Sequence, residues 1–274
     1  MKLSSKRSSR FLGTRVLNVL IRLMTVIILL FFWEFSVRLG WISSFEFPPP
    51  SRLMETLIML ITDGFPRGIT AWIHVLATVM RILQGYALAT VMAIPMGILI
   101  GRSKILVRAS NPVITFARSV ATISLLPLAV AWFGVGEFAR VLLITYGCFW
   151  IILTNTIDGV QQVDPDYHRA AQMMGTSPSQ LFFRVILPAS LPRIFSGMKV
   201  ALGMAFLVIV AVEMIGTIQG LGALIQQSRT FFRSDIAMVG MLFMGIFGYF
   251  LSIVLDWLER ILLPWSKGLE EVER

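Results

Sequence analysis

Two stretches of this chain, Ile82 to Gly101 and Ile236 to Leu255, run twenty residues each without a charged side chain. A helix needs about 20 mostly apolar residues to cross the hydrocarbon core of a bilayer, so these two segments place the chain in a membrane. Two further segments come close, Ser119 to Gly136 and Val141 to Ile157. A fifth, Ser196 to Gly216, carries only Lys199 near one end and Glu213 near the other. The first, Leu17 to Gly40, has an uncharged centre from Leu23 to Trp33. No stretch alternates with period two, as a barrel would require. The expectation is an all-α membrane protein with six transmembrane helices. Of the 274 residues 14% are charged and 56% hydrophobic, too little polar material to clothe a water-facing surface. The lone Cys148 excludes a disulfide scaffold, and in a span it reads as a small packing residue.

The net charge of +9 resembles that of a nucleic-acid binder, but the placement of the basic residues argues otherwise. With the N-terminus inside, sixteen of the 24 Lys and Arg fall on the cytoplasmic side and seven outside, with Arg118 within the third span. That asymmetry follows the positive-inside rule and sets both termini in the cytoplasm. Lys2, Lys6, Arg7 and Arg10 ahead of an apolar run imitate a signal peptide. The run ends in Phe31, Phe32, Trp33 and Glu34 with no small-residue cleavage site, so the first span is expected to stay.

These readings divide the chain into a cytoplasmic basic tail (1–16), a first span (17–40) and a periplasmic segment (41–71). A core over 72–265 has spans at about 80–101, 113–133, 139–157, 196–216 and 236–258, and a cytoplasmic tail (266–274) follows. In the periplasmic segment Pro48-Pro49-Pro50 is a stiff connector. Leu53, Leu57, Leu60 and Ile61 then recur as on an amphipathic helix, which Asp63-Gly64 ends. That helix lies on the membrane surface or against the bundle, or it meets an outside partner.

The cytoplasmic segment 158–195 carries the most local information. Asp164-Pro165 combines an N-cap oxygen with a proline at the first helical position, and Gly175 supplies a left-handed stop. Ser177-Pro178 starts a second helix, with Gln180 completing a capping box, and Pro188 is expected to end it. No charge occurs from Ala170 to Phe183 although the segment lies outside the membrane. An apolar corner of that kind folds back onto its own bundle or the lipid interface, or it docks on a partner.

Ala170-Ala171, three residues, Gly175, nine residues, then Val185-Ile186-Leu187-Pro188 resembles the EAA loop of ABC importer permeases, Glu-Ala-Ala-x3-Gly-x9-Ile-x-Leu-Pro. Arg169 stands where the signature has Glu, and Val185 where it has Ile. The resemblance runs from about Trp72 to Trp265. It takes in Ser124-Leu125-Leu126-Pro127-Leu128, Trp132-Phe133-Gly134-Val135-Gly136, Glu213-Met214-Ile215-Gly216, Gly220-Leu221-Gly222 and Leu263-Pro264-Trp265. Together these are similar to the branch that imports nitrate, sulfonates, taurine or bicarbonate. The resemblance implies a type I ABC importer permease fold with two short cytoplasmic coupling helices, in a homodimer in the bacterial inner membrane. It further implies a cytoplasmic ATPase subunit docked on Arg169, Ala170, Ala171, Gly175, Val185, Leu187 and Pro188, and a periplasmic substrate-binding protein. Membrane lipid surrounds the spans, and no nucleic acid is involved.

No Gly-x4-Gly-Lys-Ser/Thr phosphate loop occurs, so ATP would be bound by the partner subunit and this chain would carry no cofactor, metal or catalytic set of its own. The alternative is a self-sufficient channel or secondary carrier. Candidate residues along a substrate path are Arg118, Ser119, Thr122, Ser124, Thr154, Asn155 and Glu213. Arg118 either attracts an anion or snorkels to headgroups. The hydroxyls and the amide either line a path or bond between helices. Glu213 is expected to be paired, with Arg140 as a partner, or turned from the path. Pro127 and Pro95 each remove a backbone bond and mark expected kinks. Gly97-x3-Gly101 and Gly216-x3-Gly220 fit close helix contacts.

Overall fold

The structure, a computed structural model, describes residue 21 and residues 24–265; part of the expected first span and both tails lie outside the described residues. Every element in them is helical. Helix α1 (24–38) is followed by α2 (Pro50–Thr62), α3 (Ala71–Gly101) and α4 (Lys104–Ser119). A 3-10 turn (Thr122–Leu125) leads into α5 (Leu126–Phe133), then α6 (Glu137–Gln161), α7 (Pro165–Met173) and α8 (Pro178–Leu181). A π-turn (Phe182–Ile186) joins α8 to α9 (Leu187–Glu213), and α10 (Leu221–Thr230) and α11 (Ser234–Leu262) complete the order. Among the described residues four helices are long and apolar enough to cross a membrane: α3, α6, the continuous rod Pro178–Glu213, and α11. The bent pair α4 and Thr122–Phe133 makes a fifth candidate.

The centre of the bundle is α6 sandwiched between α3 and α9. Gly85, Ala89, Ala93, Gly97 and Gly101 recur every fourth residue on α3 and form a stripe almost without side chains. A Cβ at Gly85 would stand 2.7 Å from Ile144, and one at Gly97 would stand 2.6 Å from Thr156. Backbone therefore meets side chain directly, as small residues permit in membrane bundles. The Gly97-x3-Gly101 pair is part of that seam. Gly216 and Gly220 are not a helical pair: both have positive φ and lie in the connection between α9 and α10. Cys148, fully buried, donates its thiol hydrogen toward Ala201 O at 3.3 Å.

Helix α2 lies against the bundle. Leu53 and Leu60 pack with Val75, Leu224, Ile236 and Val239, and Thr56 donates to Asp235 at 2.8 Å. Glu34 on α1 accepts from Ser51 N and Oγ in the first turn of α2 (3.1 and 2.9 Å), where a carboxylate complements the helix dipole.

Two expected breaks fall elsewhere. The third span bends by 78°, but not at Pro127. Val120 and Ala121 are extended and separate the two halves, while Pro127 sits in the first turn of α5, where its missing N–H interrupts nothing. Nor does Pro188 end the second corner helix. The π-turn just before it lets Leu187 N–H reach back to Phe182 O, widening the helix where the proline ring would otherwise clash. The helix therefore continues through Pro188 and Pro192 to Glu213. The second coupling helix is the first turn of a long rod rather than a separate element.

Candidate coupling corner and transport path

The corner is built by local chemistry. Asp164 caps α7 by accepting from Asp166 N at 2.9 Å. At the other end Gly175 N–H donates to Gln172 O and Thr176 N–H to Ala171 O, while Gly175 takes φ +72°. That is the paired bonding of a Schellman stop. Ser177 and Gln180 complete a reciprocal capping box. Between the two caps the chain turns sharply, with α7 on one side and the rod on the other.

One face of the corner is tied inward. Ala171, Leu181 and Phe182 are buried, and the Arg102 guanidinium lies over the Phe182 ring at 4.4 Å. The other face is bare: Met173 is 89% exposed and Met174 75%, with Phe183 and Tyr167 exposed beside them. Val185 and Pro188 line a recess of about 410 Å³ together with Tyr167, Arg184, Pro192 and Trp265. Ala170 is exposed and Leu187 half-buried. Arg169 reaches Asp166 in its own helix at 3.2 Å, both side chains largely in solvent. The structure thus gathers the seven signature residues around one corner, partly as core and partly as open surface.

The expected path residues are scattered by comparison. Arg118 sits exposed in the last turn of α4, beside the break, where the helix C-terminus favours a cation. Ser119, Ser124, Thr154 and Asn155 donate to Thr115 O, Ala121 O, Trp150 O and Ile151 O within their own segments, at 2.7–2.9 Å. Thr122 is buried against Gly147 of α6. Asn155 packs so tightly on α9 that a Cβ at Gly197 would overlap it.

Glu213 has a different partner from the one expected. It is fully buried and accepts from Arg81 Nη1 at 2.7 Å, from Thr78 Oγ1 at 2.9 Å and from Gly222 N at 2.9 Å. Arg140 instead donates to Glu137 at 2.7 Å. Glu137 in turn takes both a 2.6 Å and a 2.7 Å bond from Arg81, so the four charges form one knot, Glu213–Arg81–Glu137–Arg140. Sequence reading began the second span at about residue 80, which put Arg81 at its edge. The helix in fact begins at Ala71, and Arg81 is buried in its interior because two carboxylates neutralise it. His74, about two turns earlier, bridges Phe65 O (2.9 Å) and Gly220 N (3.2 Å). The available signal was Glu213 itself: a carboxylate ending an apolar helix demands a cation, yet sequence alone offered several.

A helical bundle with four or five membrane-length helices among the described residues and a charge-free corner left open at one end fits the membrane subunit of a multi-part transporter. The family model described as binding-protein-dependent transport system inner membrane component matches residues 93–268. The chain is 34% identical over 251 residues to the taurine transport system permease protein of Escherichia coli (strain K12), covering 90% of each. It is 31% identical to the bicarbonate transport system permease protein of Synechocystis, covering 86% of this chain and 85% of that one. Among solved structures the MetNI methionine ABC transporter superposes with a TM-score of 0.59 at 18% identity, covering 69% of this chain and 96% of that chain. The chain belongs to the family of inner-membrane permease components of binding-protein-dependent ABC importers. It is a multi-pass inner-membrane protein that works with a separate ATPase subunit and a substrate-binding protein, and it is not itself an enzyme.

Proposed function

We propose that the chain forms one half of a homodimeric importer that moves a small anion of the sulfonate, taurine, nitrate or bicarbonate class inward. Relatives named for taurine, aliphatic sulfonates, bicarbonate and nitrate support that substrate class, since all carry a compact oxyanion. Both termini lie in the cytoplasm, six spans cross the bilayer, and lipid surrounds them. The ATPase binds ATP and docks on Arg169, Ala170, Ala171, Gly175, Val185, Leu187 and Pro188. The observation that carries the docking assignment is the bare face of the corner, where Met173 and Met174 stand in solvent with no charge between Ala170 and Phe183. Arg118, beside the break in the third span, supplies positive charge along the path. Ser119, Thr122, Ser124, Thr154 and Asn155 shape its wall, with most of their donors turned to backbone.

Uptake of labelled taurine, an alkanesulfonate, nitrate and bicarbonate in a strain lacking the chain tests the substrate class. One of the four is expected to be taken up only when the chain is restored. Gly175→Trp tests the docking: uptake should vanish, because a large side chain enters the corner at a left-handed position. Normal uptake with intact expression, or uptake that persists without the ATPase, would sink the reading.

A further inference from the structure

The rod that starts at the corner ends on a buried charge. From Pro178 to Glu213 it is unbroken for 36 residues, about 54 Å at 1.5 Å per residue. Its last residue, Glu213, places a carboxylate at a helix C-terminus, the end where the backbone dipole disfavours it. Nothing in its own helix favours that placement. It is held from outside by Thr78 and Arg81 of α3 and by the N–H of Gly222 in α10.

The same knot holds the connection from Met214 to Gly220. Arg81 donates to Gln219 O at 2.8 Å, Arg140 donates to Gly216 O at 2.9 Å, and His74 meets the Gly220 backbone. The connection has little apolar packing to keep it there: Ile215 and Ile218 are 52% and 66% exposed. At Gly220, φ +130°, a Cβ would overlap the Glu213 carboxylate, so the backbone passes directly over the charge. Polar ties therefore set where this loop sits, and two of them come from arginines bonded to Glu213 or Glu137. It lies at the far end of the rod from the corner; with the corner read as the ATPase dock, that is the face a substrate-binding protein would approach.

We infer that Glu213 and Arg81 are positioning residues of transport: they couple movement of the docking corner to the 214–220 loop at the opposite end of the bundle. The inference rests on the reading of the corner as the ATPase dock. A helix moved at its first turn carries its terminal carboxylate with it. Pulling this buried 2.7 Å pair apart would leave both charges poorly compensated, so displacement of Glu213 is passed to Arg81 and through it to the loop.

The test uses the whole importer, permease with its ATPase and binding protein, in lipid nanodiscs and vesicles. ATP hydrolysis is measured with and without binding protein loaded with whichever of taurine, an alkanesulfonate, nitrate or bicarbonate the wild type takes up. Glu213→Gln keeps the side-chain size and removes the ion pair. Basal hydrolysis is expected to stay within about twofold, while stimulation by the binding protein and uptake fall about tenfold, inside the range of ordinary coupling between sites. Glu137→Gln, at a side chain 60% exposed, should lower stimulation by about threefold with assembly intact. If Glu213→Gln does not assemble, the Glu137→Gln ratio decides. Wild-type stimulation in the variants, or parallel loss of basal and stimulated hydrolysis, would overturn the inference and leave the knot as fold support. Failure of the docking reading looks different: Gly175→Trp would then still copurify with the ATPase and transport normally.

Discussion

The two ends of the Pro178–Glu213 rod solve opposite problems. At one end, an uncharged surface stands in solvent, with Met173 and Met174 bare. At the other, four charged groups from three apolar helices meet, with Arg81 and Glu213 fully or nearly buried and both paired. The knot is complete within one chain. The corner is not, because apolar surface held in water is stabilised only when something covers it. Completeness thus separates the knot, whose partners all lie within the chain, from the corner, whose exposed apolar face is left uncovered.

Breaking the knot should have the largest effect. Glu213→Ala leaves the Arg81 guanidinium buried with one carboxylate lost, and removing one partner of a buried pair costs about 3–5 kcal/mol. Thermal unfolding of the purified protein in detergent would show it as a clear drop in Tm, and an unchanged Tm would contradict the burial of the pair. Two glycine replacements sharpen the contrast. Gly220→Ala forces a methyl into the Glu213 carboxylate, an overpacking cost of about 1–3 kcal/mol beyond backbone strain. Gly175→Ala meets open space and pays only the left-handed strain, about 1 kcal/mol. The smaller Tm shift should therefore fall at the corner. Smallest in stability, but not in function, is Met173→Asp combined with Met174→Asp. Both side chains are already in water, so Tm should hardly move. Copurification with the ATPase should weaken about tenfold, ~1.4 kcal/mol.

Legibility in the sequence follows the range of the interactions. Asp164, Pro165, Gly175, Ser177 and Gln180 announce the corner because caps and stops are settled within a few residues. The long helices are equally open to reading, since a charge-free run of twenty residues has few alternatives. The Arg81–Glu213 pair was hidden because its members are 132 residues apart, and residue type alone pointed to Arg140 as readily as to Arg81. The bend at Val120–Ala121 was hidden for another reason: neither residue carries a turn signal, whereas Pro127 does and yet only begins a helix. Pro188 misled in the same way, since the π-turn that absorbs it is written in ordinary residues, Phe182 to Ile186.

The glycine stripe on α3 has a consequence for movement. Where side chains interdigitate, a helix can shift slightly while rotamers readjust. Along Gly85, Gly97 and Gly101 there are no such side chains on α3, and its backbone bears directly on Ile144, Thr156 and Val160 of α6. A sideways step there would drive main chain into side chain, which close-packed interiors resist. During a transport cycle α3 and α6 should therefore travel as a single slab, and the sliding must be taken up at other seams of the bundle.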